Sequence, residues 1–92
     1  MVQDDWQQAA FFWHFAGHGF RTVWMESKAG KSYLRSVECG DKAAAKLDLE
    51  QAQKQQAFDL RSLGRARSCY SDAGQTWRLP GIDAMINDRL EG

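Results

Sequence analysis

Residues 4–20 read DDWQQAAFFWHFAGHGF, and the fold of the chain turns on whether they form a helix or a strand. Asp4 or Asp5 suits a helix cap, and QQAA favours a helix. Carried on through Phe15, however, a helix puts Trp6, Ala9 and Trp13 on one side and Phe11 and Phe15 on the other. A helix that is apolar all round has to be buried all round, which a chain of 92 residues can hardly manage. Aromatic enrichment and period-two spacing favour a strand over residues 11–16 instead, with Phe11, Trp13 and Phe15 on one face. The reading is a short helical turn followed by a strand.

The rest follows from that choice. Gly17-His18-Gly19 supplies turn residues, FRTVWME at 20–26 reads as a second strand, Ser27 to Lys31 as a turn, and SYLRSVE at 32–38 as a third strand. Cys39-Gly40-Asp41 then ends the sheet, with Asp41 as N-cap of a long helix over about residues 42–63 and Gly64 as its C′ residue. On that helix Ala45, Leu49, Ala52, Leu60 and Leu63 lie near one stripe, broken by Gln56. Asp48, Glu50 and Asp59, interleaved with Lys46 and Lys54, read as a solvated face. SCYSDAGQTWRL is expected to be a loop or irregular strand pair around Asp72-Ala73-Gly74. Pro80 or Gly81 opens a short helix with Ile82, Met85 and Ile86 on one face. The expected fold class is α+β, a single domain over 1–92: an antiparallel meander of three strands, or four, packed against one long helix, with a short C-terminal helix.

Composition excludes several functions. A hydrophobic fraction of 43% and a charged fraction of 26% are those of a folded domain rather than a disordered one. Twelve basic and twelve acidic residues cancel, unlike a dedicated polyanion binder or an acidic mimic of DNA. Two cysteines are too few for a disulfide framework, and MVQDD lacks the basic start of a signal peptide, so a reduced, cytoplasmic setting is expected. The longest apolar run, residues 9–16, falls far short of the roughly 20 residues that span a bilayer, and no membrane partner is expected.

Catalytic and metal signatures are equally thin. His14, His18, Cys39 and Cys69 are zinc-ligand types, but no CxxC brings two of them together, and the thiols read as small buried side chains. The GKS in AGKS at 29–32 is not a P-loop, because the first glycine of GxxxxGK[ST] falls at Met25. There is no GxSxG elbow. The expectation is a protein with no metal, no cofactor and no enzymatic activity.

Charge is nevertheless uneven. Residues 21–40 carry +2 and residues 61–80 carry +3. Arg21, Lys28, Lys31 and Arg35 on the meander, with Arg61, Arg65, Arg67 and Arg78 near the helix end, form one basic patch if the two regions lie side by side. In element order, residues 11–60 resemble the arm-type DNA-binding domains, which implies a sheet entering a groove. Trp6, Trp24, Trp77 and Tyr70 are more large aromatics than one small core requires, whereas Trp13 is assigned to the core. Binding hot spots are enriched in Trp, Tyr and Arg. In profile, though not in any motif, the chain is similar to phage or mobile-element proteins that bind and block a host machine, anti-CRISPR proteins among them. That similarity implies inhibition by stoichiometric occlusion. The expected function is protein–protein binding through Arg21, Trp24, Lys31, Arg35, Arg61, Arg65, Arg67 and Trp77. The alternative is a small nucleic-acid-binding or regulatory protein that uses the six cations of that set. The apolar remainder leaves room for a homodimer.

Overall fold

The structure is a computed structural model, and it describes residues 5–91. Among these there is no strand. Helix α1 spans Trp6–Thr22, α2 Glu26–Ala44, α3 Leu49–Asp72 and α4 Leu79–Glu91, with one 3-10 turn over Thr76–Arg78 leading into α4. The α+β meander is therefore overturned: the protein is a small helical bundle, and all three expected strands lie within α1, α2 and the turn between them. Helix α2 lies between α1 and α3, and the molecule is a slab with principal extents of 40 × 31 × 14 Å.

The glycines read as turns explain the error. A Cβ on Gly17 would lie 2.7 Å from the Tyr33 ring, one on Gly30 2.8 Å from Tyr70, and one on Gly40 2.0 Å from the Asp59 carboxyl group. These residues are helix-interior spacers that let a large side chain of the neighbouring helix reach the backbone. The core built over them comprises Ala29, Tyr33, Val37, Leu63, Ala66, Cys69, Tyr70 and Ile82, flanked by half-buried Phe20, Leu34, Leu79 and Ile86. A polar tie crosses the middle. Ser36 Oγ donates to the Ala10 carbonyl at 2.7 Å, Ser62 Oγ lies 3.3 Å from Ser36 Oγ, and His14 Nδ1 lies 2.7 Å from Ser62 Oγ. All three of these side chains are buried, so the tie satisfies polar groups that water does not reach.

Several boundaries move accordingly. Asp48, not Asp41, caps α3, accepting from the Gln51 N–H at 2.9 Å. Asp41 lies near the end of α2 and receives two hydrogen bonds from Arg89 of α4, at 2.9 and 3.0 Å. Gly64 sits inside α3 rather than after it. Asp59, assigned to a solvated face, is completely buried. The turn at Ala73 and Gly74 and the C-terminal helix stand close to where the sequence puts them, but SCYSD, expected in a loop or irregular strand pair, continues α3 to Asp72. Among the described residues, no helix is long and apolar enough to cross a membrane.

Candidate binding surfaces

Helices α1 and α3 end at the same pole of the bundle, and they end in the same way. At the end of α3 the Gly74 N–H donates to the Ser71 carbonyl and the Gln75 N–H to the Tyr70 carbonyl, with Gly74 at φ +76°. This is the Schellman cap, whose left-handed position favours glycine because a Cβ there clashes with the backbone. At the end of α1 the Trp24 N–H donates to the Arg21 carbonyl at 3.1 Å and the Met25 N–H to the Phe20 carbonyl at 2.9 Å. Here the left-handed residue is Trp24, at φ +66°. It is the only non-glycine residue with positive φ among those described, and it is 83% exposed. The indole therefore compensates for the strained backbone with little burial.

Gln75 Nε2 donates to Ser27 Oγ at 3.2 Å, tying the two loops together. An open cleft between them is lined by Trp24, Met25, Glu26, Ser27, Lys28, Ala73 and Gln75. Trp77, two residues further on, is 70% exposed, and Val23 is also uncovered. Four apolar side chains thus stand at this pole on loops anchored by helix caps.

The other predicted residues do not join them in one basic patch. Arg21 donates to Ser68 Oγ and to Asp72 Oδ2, the latter at 3.2 Å, and Arg67 is paired with Asp83 at 2.6 Å. Arg61 and Arg65 are exposed on the side of α3 that faces His14 and His18. Burial, with these arginines and His18 nearby, pushes the His14 imidazole down to about 4; burial, Arg65 and Arg21 lower His18. Lys31 and Arg35 stand on the opposite side of the α1–α2 seam. There Lys28 lies 6.0 Å from the Phe20 ring centroid, Arg35 5.0 Å from Trp13 and Lys42 4.4 Å from Trp6. The aromatics are seven residues apart on α1 and the cations seven apart on α2, so the antiparallel helices meet in three matched rungs spaced by roughly 10.5 Å. Each rung contributes roughly 0.5–1 kcal/mol. Trp13, assigned to the core, is half-buried beneath Arg35, and Tyr70, counted among the aromatics in excess of one small core, is fully buried.

The Ser62 and His14 side chains that pair with each other are both buried. Among the described residues, no group of three or more His, Cys, Asp or Glu side chains converges to hold a metal ion. Sequence reasoning missed one surface altogether: Phe12 and Phe15, 63% and 61% exposed on the outer edge of α1. Reading that segment as a strand hid it. Compared with protein-family models, with curated proteins and with solved structures, the chain matches none.

Proposed function

We propose that this protein works by binding another protein through the loop pole that carries Trp24 and Trp77, blocking the surface it covers. The observation that carries this reading is Trp24. An otherwise regular helix cap holds a tryptophan where the equivalent cap of α3 holds glycine, and the ring is left in solvent. Left-handed backbone at a non-glycine residue costs roughly 1–2 kcal/mol, and such outliers cluster at binding and switch sites. Exposed tryptophan is also the side chain most enriched at binding hot spots.

The test compares wild type with Trp24→Gly and Trp77→Ala as tagged baits in a pull-down, half of each sample treated with nuclease. Trp24→Gly is expected to keep the fold, with thermal stability equal to or above wild type because the cap is relieved, and to lose a nuclease-resistant partner at least tenfold. A partner held equally well by Trp24→Gly contradicts the reading.

A second reading has its own observation. The α1–α2 groove presents Lys28, Lys31, Arg35 and Lys42 beside aromatic rings, with Glu38 as the carboxylate among its lining residues. Alternating cations and aromatics suit an anionic strand such as single-stranded nucleic acid. That binding weakens steeply as salt rises, whereas a tryptophan-centred protein interface persists.

A further inference from the structure

The outer edge of α1 is the side chain surface that the bundle leaves without an explanation. Residues 6–20 contain no Asp, Glu, Lys or Arg. On the helical wheel Gln8, Phe12, Phe15 and Gly19 fall within about 60° of one another. All four are exposed, and this sector lies opposite the buried Ala10 and Gly17. Gly19 closes it at the C-terminal end of α1. A Cβ on Gly19 would meet nothing within 4 Å, as at Gly64 of α3 and Gly81 of α4, whereas Gly17, Gly30 and Gly40 are each held against a neighbouring side chain; of the three open helical glycines Gly19 is the one that lies beside exposed phenylalanines. An exposed glycine inside a helix costs about 1 kcal/mol relative to alanine, and among the described residues no contact requires it.

We infer that two copies of the chain pair along this edge with their α1 helices antiparallel, Phe12 of each copy seated over Gly19 of the other. The stripe is self-complementary about the point between Phe15 and Ala16. In that register the large Phe12 meets the space above Gly19, Phe15 meets Ala16, and Gln8 meets Val23. A two-fold interface demands this reciprocity, with the same patch serving as both halves. At roughly 200 Å² per aromatic side chain, the exposed parts of Phe11, Phe12 and Phe15 amount to roughly 300 Å². Gln8, Ala16, Gly19 and Val23 bring the strip to roughly 500–600 Å² per copy, close to the small end of specific interfaces. A glycine within a lipid-facing stripe adds no apolar surface, whereas opposite a phenylalanine it permits close approach. The pairing is independent of the proposed partner site; it sets the two Trp24 residues roughly 25 Å apart along the helix axis, so that the dimer is bivalent.

The experiment is sedimentation of the full chain from about 1 to about 200 µM, with circular dichroism on each variant. The wild type is expected to pass from monomer to dimer within that range. Phe12→Asp and Gly19→Leu are each expected to weaken dimerisation at least tenfold while retaining helical content. Gly19→Leu is also expected to raise the melting temperature of the dilute monomer, because leucine favours helix more and the site is open. Thermal gain from Gly19→Leu with no change in the dimerisation of the protein means that Gly19 takes no part in the pairing, and overturns the register inferred here. A wild type that stays monomeric at the highest concentration, or a dimer that both variants retain, overturns the inference, as does binding of dilute monomer to phospholipid vesicles through Phe12.

Discussion

Gly40→Ala is expected to lower the melting temperature by more than about 12 °C, the equivalent of roughly 3 kcal/mol or more for a domain of this size. The added Cβ would lie 2.0 Å from Asp59 Oδ1 and 2.4 Å from Asp59 Cγ. Asp59 has no exposed surface, so its carboxyl group has nowhere to swing. Helices α2 and α3 would have to separate, pulling Tyr70 from Gly30 in the process. Overpacking a core costs roughly 1–3 kcal/mol even where flexible side chains absorb it, and here a short, rigid one has to. A domain of this length is stable by only roughly 5–14 kcal/mol in total. The same substitution at Gly64, also inside a helix but facing open space, is expected to raise stability by about 0.5–1 kcal/mol. Asp59→Ala should partly rescue Gly40→Ala, since the two positions share one space. Thermal melts of the four variants check the set. A melting temperature for Gly40→Ala within a few degrees of wild type contradicts the close approach of α2 to α3.

The second large effect concerns pH. Burial pushes the Asp59 carboxyl group up to about 7, Asp41 adds to the rise, and the hydrogen bond from Gln55 Nε2 at 3.0 Å and the charge of Arg89 oppose it. Asp59 Oδ2 has no hydrogen-bond partner. With the folded value above the unfolded one, the folded state holds the proton more tightly. The stabilisation is complete below about pH 4 and is lost as pH rises towards 7. His14 has the opposite sign. Its folded value of about 4 lies below the ordinary 6.5, so its contribution is present above 6.5 and lost as pH falls towards 4. Each changes stability by about 1.4 kcal/mol per pH unit inside its window, and between pH 5 and 6.5 the two oppose each other. The wild type therefore depends weakly on pH there. Asp59→Asn removes one arm, and its stability is expected to rise by about 2 kcal/mol from pH 5 to 6.5, with His18 contributing in the same direction. His14→Gln leaves the Asp59 arm and is expected to have a slope lower than that of wild type by about the same amount. Urea unfolding at several pH values measures all three slopes. Parallel slopes in wild type and both variants contradict the burial assigned to these groups.

The legible parts of the fold were those fixed by local chemistry. The Asp72-Ala73-Gly74 turn has a glycine where left-handed backbone requires one, and the C-terminal helix has Pro80 in its first turn and Ile82 and Ile86 one turn apart. The Glu50–Lys54 pair was also legible from its spacing and forms at 3.7 Å. The illegible parts were decided by contacts far apart in sequence. Gly30 and Gly40 look like sheet-breaking turns until Tyr70 and Asp59, forty and nineteen residues further on, are seen lying against them. Without that contact SYLRSVE alternates like a strand. Asp59 reads as solvated because Lys46 and Lys54 are interleaved with the acidic residues that precede it, but its companion in space is the Gly40 backbone. For the candidate site, Trp24 and Trp77 were legible as surplus aromatics. The basic patch was not, because residues on one helix can face opposite sides of a slab only 14 Å thick.

A helix over residues 4–20 would be apolar on every side, which counts against it in a chain this short. The segment is a helix over its described part, it is apolar on every side, and one of those sides is uncovered. The central claim is this uncovered helix. Carbon-13 chemical shifts of residues 6–22, recorded at low concentration with a soluble paramagnetic agent, test it most directly. The account predicts an unbroken run of helical Cα shifts, with the signals of Phe12, Phe15 and Gly19 bleached and those of Ala10 and Gly17 protected. Extended shifts over residues 11–16, with protection alternating between neighbouring residues, would contradict it.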